Sequence, residues 1–157
     1  MKTIKSLLLL SLLFITAFSC RKKDAQYTVK GDYMVVGWTG GFVAPDAKAT
    51  YYLITTSELR VDNSQIQSSI PTNINGFNFN TVMPTAKYDA VKSLLTTIPS
   101  ELLSRNNASI GDVFPDAGYK DVRASINGTL YSWKFEADQT KSSQAIQDFV
   151  KRIGDNL

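Results

Sequence analysis

Apolar and polar positions alternate most regularly between Tyr119 and Ala137, in the stretch YKDVRASINGTLYSWKFEA. Two alternating runs flank Asn127-Gly128, a dipeptide that suits a type I′ turn because both central residues take positive φ. Pairing across that turn sets Ile126 opposite Thr129, Ala124 opposite Tyr131 and Val122 opposite Trp133. One face then gathers Val122, Ala124, Ile126, Tyr131, Trp133 and Phe135, while the other pairs Asp121 with Lys134 and Arg123 with Ser132. Turn chemistry and apolar pattern agree on one register, which predicts a β-hairpin.

The pattern changes period behind the hairpin. In SSQAIQDFVKRIGDNL, Ala145, Ile146, Phe149, Val150 and Ile153 recur at helical spacing, with Lys151 and Arg152 in the last turn and Gly154 as the stop. A second helix is expected from about Thr85 to Ile98, with Tyr88, Val91, Leu94, Leu95 and Ile98 in phase, Pro84 near its start and Pro99 at its end. Two earlier runs, YTVKGDYMVVGW and ATYYLITTSELRV, are rich in β-branched and aromatic residues and read as one strand each. Between the second of these and the first helix, Asn63 to Thr81 is polar, with Pro71 and Gly76, and reads as loop or irregular strand. The order ββαββα predicts an α+β domain, an antiparallel four-stranded sheet with helices packed on one face.

The chain ends change the picture of where this domain resides. Lys2 and Lys5 precede an apolar run from Leu7 to Phe18, broken by Ser11 and Thr16 and followed by AFSC. That is the plan of a secretion signal, with an h-region too short to span a bilayer. Cys20 stands directly after a small residue, an arrangement that resembles the lipobox of bacterial lipoproteins, in which the cysteine becomes the lipidated first residue. Residues 1–20 are then a signal peptide, 21–30 a charged tether and 31–157 a single α+β domain at the bacterial cell envelope, on the periplasmic side or the cell surface. Each buried acyl methylene contributes about 0.8 kcal/mol, so a multiply acylated cysteine anchors stably.

Charge and composition narrow the chemistry. The formal net charge is +3. Without Lys2, Lys5, Arg21, Lys22, Lys23 and Asp24 the remainder carries 12 basic and 13 acidic residues, so the fold itself is close to neutral. A nucleic-acid partner calls for clustered basic charge, and none is visible. The chain has no histidine, and Cys20 is its one cysteine. The common zinc and haem ligands are therefore missing, as are Ser-His-Asp and Cys-His nucleophile arrangements. Neither common phosphate-cradling glycine loop occurs, and DNSQ at Asp62 lacks the phase of a calcium loop. No catalytic residue, metal site or cofactor is expected, and the function is expected to be binding.

Aromatic side chains are the remaining resource. Tyr51 and Tyr52 are adjacent in a strand, so one points away from the core unless both faces are covered. Phe77 and Phe79 alternate with asparagines. These four either cover core edges or form a surface for a small ligand or glycan. The stretch VVGWTGGFVAP poses a sharper alternative. Gly40 and Gly41 reach conformations closed to other residues, so they either turn the chain between two strands with Phe42 packed inward or display Phe42 and Val43 on a loop stiffened by Pro45.

TGGF at Thr39 to Phe42, a helix closed by Ile98-Pro99, and Asp116-x-Gly118-Tyr119 leading into the hairpin and final helix together resemble the emfourin-type domain, over Tyr33 to Ile153 in element order. The founding member of that family inhibits protealysin, a thermolysin-like zinc metalloprotease. What the resemblance implies here is a protein-binding module, inhibiting a secreted or envelope metalloprotease through Trp38, Gly40, Gly41, Phe42, Val43 and Asp46; the lipid anchor comes from the Cys20 pattern and not from the family. A carboxylate such as Asp46, or a backbone carbonyl, would then reach the protease zinc. The alternatives are a ligand- or glycan-binding lipoprotein using Tyr51, Tyr52, Phe77 and Phe79, and a structural envelope protein.

Overall fold

The computed structural model describes residues 27–157 apart from 42, 45 and 115. The expected signal segment with Cys20, the start of the expected tether, Phe42 and Pro45 lie outside the described residues.

Seven strands form one sheet in the order β4-β3-β2-β1-β6-β7-β5. They are β1 (Tyr33–Thr39), β2 (Lys48–Thr55), β3 (Leu59–Ile66), β4 (Thr81–Val82), β5 (Ala108–Ile110), β6 (Tyr119–Ile126) and β7 (Thr129–Phe135). The helices are α1 (Thr85–Val91), α2 (Ser100–Leu103) and α3 (Gln144–Asn156). The sheet is mixed, because β5 runs parallel to β7 while every other pairing is antiparallel. This corrects the expected four-stranded antiparallel sheet and its ββαββα order.

Each departure has a local cause. ATYYLITTSELRV makes two strands, not one, because the chain reverses at Thr55. Its hydroxyl accepts from the Glu58 amide at 3.0 Å and donates to the Glu58 carbonyl at 3.0 Å, doing with a side chain what a glycine turn does with backbone freedom. The polar half of β3 stays extended because Asp62 is buried as a hydrogen-bond hub. Its carboxylate accepts from the Ser64 amide at 2.8 Å, from the Ser64 hydroxyl and from the Asn78 amide at 2.6 Å. The helix expected to Ile98 ends as α at Val91 and continues as a 3-10 turn, Lys92–Leu95. Thr96 and Thr97 both turn their hydroxyls onto the Ser93 carbonyl, at 3.2 and 2.7 Å, competing with the helical ladder. Gly154 does not stop the last helix, which runs on to Asn156.

The hairpin register matches the sequence reading at every stated pair, and Asn127 and Gly128 have φ of 50° and 77°. Both faces of the sheet are covered. On one, Met34, Val36, Val122, Trp133 and Phe135 pack against Val91, Leu94 and Leu102 and against Ile146, Phe149 and Ile153 of α3. Trp133 donates its indole N–H to the Leu102 carbonyl at 3.0 Å, which fixes α2 beneath the sheet. On the other face, Val35, Ala49, Tyr51 and Leu53 pack against Phe77 and Phe79, brought over by the segment after β3. Tyr27 and Val29 pack on the same cluster, and the Tyr27 hydroxyl donates to Glu58 at 2.7 Å, so the end of the expected tether lies on the fold. Among the described residues no helix is long and apolar enough to cross a membrane.

Candidate functional site

The pairings bring four strand ends and two strand starts to one end of the sheet. There β1, β3, β5 and β7 finish and β2 and β6 begin. Two loops meet at this end, residues 40–47 between β1 and β2, and residues 111–118 between β5 and β6. Gly40, Gly41 and Gly118 have φ of 82°, 78° and 47°. Their backbones press together: a Cβ on Gly118 would lie 3.0 Å from the Gly40 carbonyl carbon and oxygen, and one on Gly41 would lie 3.3 Å from the Asp116 carbonyl. Side chains are excluded at this crossing by conformation and by space. The Gly40 amide also donates to Gln67 Oε1 at 3.1 Å, tying in the end of β3. The glycines quoted in two separate motifs thus form one backbone interlock.

Large apolar side chains are exposed beside that interlock. Trp38 and Val43 are each 47% exposed. From the second loop, Val113 is 66% and Phe114 51% exposed. Exposed Ile66 adds a fifth large apolar residue at the same end. Asp46 is exposed, Gly40 and Gly41 contribute backbone, and Phe42 lies outside the described residues. The structure therefore brings Trp38, Gly40, Gly41, Val43 and Asp46 to one end. Sequence reasoning missed Val113 and Phe114. Their signal was two large apolar residues in GDVFPDAG, a stretch whose glycines, aspartates and proline deny it a period and hence a buried face.

The secondary aromatics do not form a surface. Tyr51, Phe77 and Phe79 are buried, with ring centroids 4.9 Å apart for Tyr51 and Phe77 and 5.2 Å apart for Phe77 and Phe79. Tyr52 lies half-buried on the helix-covered side. The Tyr51 hydroxyl donates to Asp121 Oδ2 at 3.2 Å, and Asp121 pairs with Arg123, which also donates to the Pro71 carbonyl. Burial foremost, then the neighbouring Asp121 carboxylate, pushes the Tyr51 hydroxyl well above its ordinary pKa, so it stays a neutral donor.

Two concavities flank the loop end. A groove of about 630 Å³ runs over β1, β6 and β7 on the loop-covered face, with Tyr33, Tyr119, Arg123 and Lys134 among its walls. Its most buried charges are already satisfied by one another, through the Asp121–Arg123 pair. A smaller cleft of about 390 Å³ lies on the other face, beside Trp38 and the end of α3. Among the described residues, no group of three or more His, Cys, Asp or Glu side chains is placed to hold a metal ion.

Comparison with known protein families, with curated proteins and with solved structures finds no match to this chain. The fold and its loop end define an α+β domain with an interlocked, apolar-tipped end.

Proposed function

We propose that this chain is a binding protein of the bacterial cell envelope, anchored by lipid on Cys20, which docks a protein partner with the loop end of its sheet. The observation that carries the reading is the glycine interlock between the two loops, beside which Trp38, Val43, Val113 and Phe114 are exposed at one end of the sheet. Apolar side chains displayed in this way lose little freedom on binding, and aromatic anchors of this kind dominate protein interfaces. An enzymatic reading has no comparable support. The ligand-binding alternative built on Tyr51, Phe77 and Phe79 would need side chains that serve the core instead.

A thermolysin-like metalloprotease is the first partner to test, because the resemblance to emfourin-type domains points there. The full chain, solubilised in non-ionic detergent, is titrated into such proteases while peptide hydrolysis is followed. Stoichiometric loss of activity is expected. Phe114→Ser and Val43→Ser should each weaken it about ten-fold, the size of a modest hot spot. Undiminished hydrolysis across several such proteases, with the chain folded, removes the protease as partner, and equal inhibition by both variants removes the loop end as the contact.

A further inference from the structure

The cleft beside α3 is built around a lysine. Trp38 and Lys120 are Cα partners across β1 and β6, on the helix-covered face. Tyr52 of β2, Ile153, Gly154 and Leu157 at the end of α3, and a second, exposed lysine, Lys48, are among the walls of a space of about 390 Å³, within the roughly 300–1,000 Å³ span of small-molecule sites. Gly154 faces Lys120 across it: a Cβ there would make ordinary contact at 3.5 Å from Lys120 Cε and 3.8 Å from Nζ, so only a larger side chain would fill the space.

Lys120 is the one lysine among the described residues that is not exposed. Its Nζ lies 4.9 Å from the centroid of the Trp38 ring and joins none of the ion pairs among those residues. A desolvated ammonium is costly unless paired, and an aromatic face offsets only part of that cost. Burial accordingly pushes the Lys120 ammonium below its ordinary pKa. The ligand chemistry that suits such a cleft is an anion with an apolar body.

We propose that this cleft binds a small amphipathic monocarboxylate, its acid group paired with Lys120 and its apolar part lying between Trp38, Tyr52 and the end of α3. Phenylacetate and octanoate serve as probes, with 2-phenylethanol as the neutral counterpart and sulfate as an anion lacking an apolar body. Binding is read from indole fluorescence of the full chain in non-ionic detergent. Trp133 is buried and hydrogen-bonded, so Trp38 is the reporting tryptophan. Saturable binding of either acid is expected, with 2-phenylethanol about ten-fold weaker or worse through the loss of one charge-assisted contact, and sulfate weaker by at least as much because it has no apolar part to bury. Lys120→Met should weaken the acid by a similar factor while the far-ultraviolet dichroism is unchanged, Lys120→Arg should restore it, and Gly154→Leu should block it. Equal binding of the alcohol, undiminished binding by Lys120→Met, or no saturable signal from either acid overturns the proposal.

Discussion

Single residues decide how closely the backbone can fold on itself. Gly37 of β1 lies opposite Tyr51, and a Cβ there would stand 2.3 Å from the Tyr51 ring. Gly37→Ala should therefore cost about 1–3 kcal/mol, the usual size of overpacking, seen as a lower urea midpoint. Gly118→Ala should cost more than Gly128→Ala. Both need positive φ, worth about 1–2 kcal/mol, but a Cβ at position 118 also meets Gly40 backbone at 3.0 Å whereas position 128 faces open space. Asp62 gives a pH signature. Burial pushes its carboxyl up, but hydrogen bonds from Ser64, Asn78 and Gln65 outweigh that and hold it below the ordinary value. Because the folded pKa is the lower one, its stabilisation is complete above the unfolded value of about 3.9 and is lost as pH falls through the folded value. Asp62→Asn should lower stability near neutral pH by about 1–3 kcal/mol and flatten the acid limb of a urea-midpoint profile. At this scale the sequence was partly legible. The Tyr51-Tyr52 pair stated a real alternative, resolved by cover on both faces, whereas the Asp62 hub depends on Asn78, which no local spacing announces.

Elements were legible where period and punctuation agreed. The hairpin at Asn127-Gly128 and the amphipathic stripe of α3 carry many residues in phase, so both could be read with their faces assigned. Missed were β4 and β5, of two and three residues, too short to show any period and extended only because neighbours pair with them. The turn into β3 escaped because a threonine hydroxyl closes it in place of glycine or proline. Helix α3 offers a direct check on local energetics. Ser143 caps it by accepting from the Ile146 amide at 3.4 Å, and its own hydroxyl donates to Glu101. Ser143→Ala should lower stability by about 0.5–2 kcal/mol in urea unfolding, and Ser143→Asn, which keeps an acceptor, should recover part of that loss.

For the whole molecule, sheet topology converts separate loops into one end. Nothing in the sequence shows that residues 40–47 and 111–118 touch, because their contact depends on β6 pairing with β1. This is why the sequence reading, which singled out Trp38 and Val43 on one loop, passed over Val113 and Phe114 on the other. On the proposed reading the loops face the partner, and they lie at the opposite end of the sheet from Tyr33, where the chain enters β1 from the N-terminal side. Amide hydrogen exchange of the full chain in detergent, with and without a stoichiometric thermolysin-like protease, tests that arrangement most directly. Protection gained in residues 38–47 and 111–118, with β4 and α1 unchanged, is the predicted result. Protection confined to the groove over β6 and β7, or no change at concentrations that saturate inhibition, would contradict the loop end as the binding surface.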